Sequence, residues 1–117
     1  MKIRTMKELL DAEVICGEDG LENHVYSACG SDMMSDVLAY VKDQAVLMTG
    51  LVNSQVIRTA EMMDMHCIVF VRSKRQTAEM IELAKESGVV ILCTTKRMYE
   101  ACGILYSNGL VGNKVRA

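Results

Sequence analysis

Three clusters in this chain are made of residue types that bind anions: Thr49-Gly50 with Asn53-Ser54, then Arg72-Ser73-Lys74-Arg75, then Thr94-Thr95-Lys96-Arg97. A guanidinium forks two donors onto a phosphate or carboxylate, which an ammonium does not do. Glycine lets backbone approach a ligand closely. Asn53-Ser54 stands before an apolar-periodic stretch and so marks a helix start with free N–H groups. Lys96 and Arg97 fall at another helix start, where the dipole disfavours cations, and a bound anion would remove that conflict. Solvated basic loops are the ordinary alternative. Ser31-Asp32 forms a fourth cluster, read first as two successive N-cap candidates. The chemistry implied is recognition of a small anionic metabolite or nucleotide. The candidate ligand-binding residues are Ser31, Asp32, Thr49, Gly50, Asn53, Arg72, Ser73, Thr94 and Thr95.

Catalysis asks for a nucleophile, base or metal with an orienting partner, and no such set can be assembled from this sequence. Gly-x-Gly-x-x-Gly, the phosphate-binding Gly-x-x-x-x-Gly-Lys-Ser/Thr and the Gly-x-Ser-x-Gly elbow are all absent. His24 and His66 read as surface or boundary residues. Asp32 and Asp36 share a helix face but lack the further carboxylates a metal would want. The five Cys include no Cys-x-x-Cys pair, and Cys67, Cys93 and Cys102 lie in apolar runs or stripes, where a thiol packs as a small hydrophobe. His66 and Cys67 are neighbours, but adjacent strand residues point to opposite faces. All five are therefore expected to be reduced structural thiols. No catalytic residue, metal ligand or cofactor is expected.

The elements that must position the anion-binding clusters repeat. Apolar runs begin at Ala45, Cys67 and Val89, 22 residues apart, and read as strands over 45–49, 67–71 and 89–93. None alternates, so each is expected to be buried on both faces, as in a parallel sheet. Apolar stripes at helical spacing fill the gaps: Val56, Ile57, Ala60 and Met63; Met80, Ile81 and Ala84; Met98, Ala101, Cys102 and Leu105. A helix over 33–42 is supported by Met34, Val37, Leu38 and Val41. The basic and Thr-containing clusters then stand at the carboxyl ends of the strands, where ligands of parallel α/β sheets gather. Upstream, Thr5-Met6-Lys7-Glu8 has a capping-box pattern and predicts a short helix from Met6. Val14–Cys16 and Val25–Cys29 read as strands of a small hairpin on the edge of the sheet. The fold class is α/β, one domain over 1–117, with a mostly parallel sheet flanked by helices; a flavodoxin-like miniature is the structural alternative.

Composition narrows the functions. A net charge of -2 argues against a general nucleic-acid binder. Four Tyr, one Phe and no Trp supply no base-stacking platform. No apolar run approaches the ~20 residues that span a bilayer, and the N-terminus has charges interleaved with its apolar residues rather than a signal-peptide core. No membrane partner is expected, and the location implied is cytoplasmic. The ten Met are read as flexible core filler.

From Ser31-Asp32-Met33-Met34-Ser35-Asp36-Val37-Leu38-Ala39 the chain resembles the DRTGG-domain family. The likeness continues through VLMTG, AEMMDMHCIVFV, LAKESGVVILCTT and YEACGILYSNGL. The name-giving Asp-Arg would fall at Val52 and Asn53, and the Thr-Gly-Gly at Val71, Arg72 and Ser73; none of the five letters is kept. The resemblance implies a compact α/β domain that dimerises and regulates a partner enzyme rather than catalysing. Met62 and Met65 lie outside the core stripe of their helix and offer a second apolar face for a homodimer. A protein-interaction subunit without a small ligand, and a small phosphoryl- or acyl-transfer enzyme, are the alternatives.

Overall fold

The computed structural model describes residues 1–40 and 45–112. Among these residues five α-helices and five strands alternate over much of the length: α1 (Ile3–Leu10), β1 (Glu13–Cys16), β2 (Ser27–Gly30), α2 (Met34–Tyr40), β3 (Ala45–Thr49), α3 (Ser54–Met62), β4 (Cys67–Phe70), α4 (Ala78–Ser87), β5 (Val90–Cys93) and α5 (Met98–Ser107). The strands form one sheet in the order β1-β5-β4-β3-β2. Strands β2 to β5 run parallel, each beside the next, while β1 lies antiparallel to β5. The parallel strands follow one another without a reversal of order, which sets the sheet apart from the flavodoxin arrangement.

The three apolar runs are these central strands, and every residue of β3, β4 and β5 is buried. Both faces are covered. On one, α2, α3 and α4 supply Val37, Val56, Ile57, Ala60, Met80 and Ala84 to a core with Leu47, Ile68, Phe70 and Ile91. On the other, α1 and α5 supply Ile3, Met6, Leu10, Ala101 and Leu105 against Val46, Met48, Val69 and Leu92. Asn53 caps α3 by accepting from the Gln55 N–H, Thr77 caps α4 through the Met80 N–H, and Gly88 ends α4 in the left-handed region.

The N-terminal segment departs from the hairpin expectation. Strands β1 and β2 do not pair; they sit on opposite edges of the sheet. Helix α1 begins at Ile3, three residues before Met6, and no side chain caps it. Its first N–H groups instead reach tertiary acceptors, Ile3 to the Asn23 carbonyl at 2.9 Å and Arg4 to the Leu21 carbonyl at 2.8 Å. Carbonyls of a neighbouring segment do the work expected of Thr5, which therefore lies inside the helix. One further expectation is corrected. Helix α3 ends at Met62, and Asp64 (φ 56°) turns the chain so that Met65 is buried while Met62 stays exposed. Arg97 stands at the cap position of α5, as its place at a helix start implied, and makes no side-chain cap bond. Residues 41 and 42 of the expected 33–42 helix lie outside the described residues.

Candidate anion site at the carboxyl ends of the strands

The connections leaving β4 and β5 diverge. Helix α4 returns on the face that carries α2 and α3, whereas α5 returns on the face that carries α1. Adjacent parallel strands whose connections part to opposite faces leave a crevice beyond their carboxyl ends. Here that place is an open cleft of about 630 Å³ lined by Arg72, Lys74, Thr95 and Arg97. Its lining is three cations and a hydroxyl. Among the described residues neither Lys74 nor Arg97 has a carboxylate partner, while Arg75 turns away to Glu13 at 3.3 Å.

Two backbone bonds tie the loops on either side. Arg72 N–H donates to the Lys96 carbonyl at 2.8 Å and Ser73 N–H to the Thr94 carbonyl at 3.0 Å. Making them places both residues in the left-handed region, at φ 60° and 58°. That costs on the order of 1–2 kcal/mol for each residue with a Cβ, so the surrounding bonds must hold the loop. These two amides are therefore not free for an anion, and the cleft presents the side chains of Arg72, Lys74, Thr95 and Arg97.

Arg72 also faces β3. Its guanidinium lies over Gly50, where a Cβ would meet Nη2 unless the arginine side chain moved aside. Nη2 stands 3.4 Å from Asp32 Oδ2. The other carboxylate oxygen, Oδ1, accepts from the Gly50 N–H at 2.7 Å and from the Thr49 hydroxyl at 3.0 Å. Asp32 is thus held by the end of β3 and by Arg72. The Ser31-Asp32 and Thr49-Gly50 segments, which lie 17 positions apart in sequence, meet here.

The remaining candidates are dispersed. Ser31 Oγ accepts from the Met33 N–H at 3.0 Å and lies beside the Asp32 loop. Asn53 caps α3. Thr94 is buried, its hydroxyl donating to the Leu10 carbonyl at 2.8 Å and accepting from the Lys96 N–H, so it braces α1 against the sheet. Thr95 is exposed on the cleft. Lys74 and Arg97 line the cleft although the sequence reading left them out; the signal was their place in the same two loops as Arg72 and Thr95. The five thiols are free, and burial pushes each of them up.

With the geometry in view, comparison with known proteins places the chain. A family model described as the DRTGG domain matches residues 5–107. The chain belongs to the DRTGG-domain family. Among solved structures it is similar to the CBS and DRTGG domains of the regulatory region of Clostridium perfringens pyrophosphatase, complexed with the activator diadenosine tetraphosphate. The TM-score is 0.71 at 12% identity, and the match covers 99% of this chain and 53% of that one. The likeness fixes the fold, and this chain spans about half the length of that regulatory region. No curated protein matches the sequence. Arg72 and Ser73, where the resemblance leads one to expect the two name-giving glycines, both have positive φ. The loop carries a guanidinium and a hydroxyl on a backbone that glycine adopts most readily.

Proposed function

We propose that this DRTGG domain is a regulatory ligand-binding module, without catalysis of its own, that takes a small anionic metabolite or nucleotide at the carboxyl ends of its strands. The observation that carries this reading is the cleft between the β4–α4 and β5–α5 loops, lined by Arg72, Lys74, Thr95 and Arg97 with no carboxylate in its lining. Arg72 supplies a two-pronged donor, Lys74 and Arg97 add charge, and Thr95 adds a hydroxyl. Ser73, Thr94, Gly50 and Thr49 shape the loops that hold Arg72, and Ser31 and Asn53 border them. The lining binds but holds no imidazole, thiol or carboxylate to act as a general base. A dinucleotide activator on the regulatory region of the similar pyrophosphatase supports a nucleotide among the ligands to test.

The reading includes a cytoplasmic homodimer that acts on a partner enzyme. Free thiols agree with a reducing compartment. For the dimer, the outer face of α5 presents Tyr99 and Tyr106, 91% and 66% exposed, around Gly103. Among the described residues no helix is long and apolar enough to cross a membrane.

Thermal shift against a panel of nucleotides and phosphorylated metabolites tests the proposal, since a ligand that binds the folded state raises the melting temperature by mass action. A stabilising ligand whose effect disappears in Arg72→Ala supports it. A flat panel overturns it in favour of a protein-interaction subunit, and turnover of a bound ligand would make the domain an enzyme.

A further inference from the structure

Asp32 is held as an anionic ligand would be held. One of its oxygens takes two donors from the end of β3, and the other faces a guanidinium. The cradle is rigid. Thr49 is fully buried, and its hydroxyl oxygen accepts from the Leu51 N–H at 3.1 Å, which leaves its one proton to point at Asp32. The Gly50 donor is a backbone N–H, and the glycine leaves space above it for the Arg72 guanidinium. The occupant is less firmly fixed. Asp32 is 48% exposed and sits in the short connection between β2 and the seven-residue α2. An exposed ion pair of this kind contributes little to stability.

Arg72 is the shared member. It faces Asp32 on one side and lines the cation-rich cleft on the other. A phosphate in the cleft draws the same guanidinium, because a bidentate, charge-assisted contact is favoured over a single long one. It also sets a second negative charge near the Asp32 carboxylate.

Resting on the reading that the cleft binds an anion, we propose that Thr49, Gly50 and Arg72 form an anion subsite that Asp32 fills in the free protein. Its carboxylate competes with the ligand. The ligand class that satisfies both halves carries two neighbouring anionic groups, as a diphosphate does: one in the cleft, the other in the cradle that Asp32 leaves. Departure of Asp32 releases the start of α2, which couples occupancy of the site to that helix.

The test compares pyrophosphate binding by calorimetry in the wild-type chain, Asp32→Asn, Asp32→Ala and Arg72→Ala. The amide of Asp32→Asn keeps an acceptor for Thr49 and Gly50 but loses the charge that holds Arg72. Competition gives a gain of about fivefold in pyrophosphate affinity in Asp32→Asn, from loss of the rival pair and of its repulsion. The same direction is expected in Asp32→Ala. Unchanged or weaker binding in both variants, with wild-type binding that Arg72→Ala removes, overturns the competitor and leaves the anion site standing. No pyrophosphate binding by the wild type or by either Asp32 variant overturns both readings. Amide NMR of the wild-type chain gives a readout that needs no substitution. Pyrophosphate should move the Gly50 amide and the α2 amides, and an unmoved Gly50 beside a shifted Arg72 signal would sink the proposal.

Discussion

The two edges of the parallel sheet solve the same problem with different means. At the amino edge, helices α3 and α4 hand over to β4 and β5 through short turns set by one left-handed residue each, Asp64 (φ 56°) and Gly88 (φ 71°). A Cβ at Gly88 would meet nothing, and Asp64 pairs with the exposed His66. At the carboxyl edge, the longest connection, between β4 and α4, puts two side-chain-bearing residues in succession at positive φ and ties them to the neighbouring loop. It also carries the charges. Two strained residues in succession, with a cleft lined by three cations beside them, mark the carboxyl edge. A sheet that needed only to turn its chain would use the amino-edge solution on both sides.

Variants can break or sharpen that contrast. The largest effect is expected where both edges rest on the same floor. Phe70, fully buried at the end of β4, should lose about 3–5 kcal/mol of stability as Phe70→Ala, read by urea unfolding. Next comes Arg72→Ala, which should weaken binding of an anionic ligand by about 1.5–3 kcal/mol by calorimetry, as for a lost charged hydrogen bond. Its melting temperature should stay near wild type. Gly88→Ala should do the reverse, losing about 1 kcal/mol of stability through its positive φ while affinity stays constant. An affinity change in Gly88→Ala would end the division between the edges. Ser73→Gly should gain about 0.5–1 kcal/mol by relieving the left-handed strain, with ligand affinity retained. The smallest effect lies away from both edges. Hydrogen bonds from Arg4 and Lys2 hold the exposed Glu22 carboxyl below the usual range. Its contribution is therefore present above the unfolded carboxylate pKa and lost as pH falls through the lowered folded value. Acid-range melting curves of Glu22→Gln and wild type should converge at the lowest pH, and the gap at neutral pH should shrink with salt.

The central strands were legible because burial on both faces leaves a continuous apolar run, and β3 begins and ends where the run from Ala45 to Thr49 does. The loops at their carboxyl ends followed from position alone, so Arg72 and Thr95 could be found. Lys74 and Arg97 escaped because the divergence of α4 and α5 onto opposite faces is a tertiary fact; their apolar stripes read alike. Asp32 shows the limit of local rules. An Asp before a helix is an N-cap by pattern, yet its lone pairs went to Thr49 and Gly50, donors that no window around Asp32 contains. Likewise β1, half-exposed and only four residues long, carries no mark of the strand it will join.

That last pairing sets an order of assembly. Glu13 lies opposite Cys93, about 80 residues further along, whereas β2, β3 and β4 each meet the next strand to emerge. At a synthesis rate of roughly 5–20 residues per second, β1 waits several seconds on the ribosome for β5, its sheet neighbour. During that interval Ile3, Met6 and Leu10 of α1, buried in the finished domain, have no α5 to pack against. The edge strand made first is thus the one whose sheet partner is made last, so the opening residues of this domain leave the most apolar surface waiting while the chain is being made.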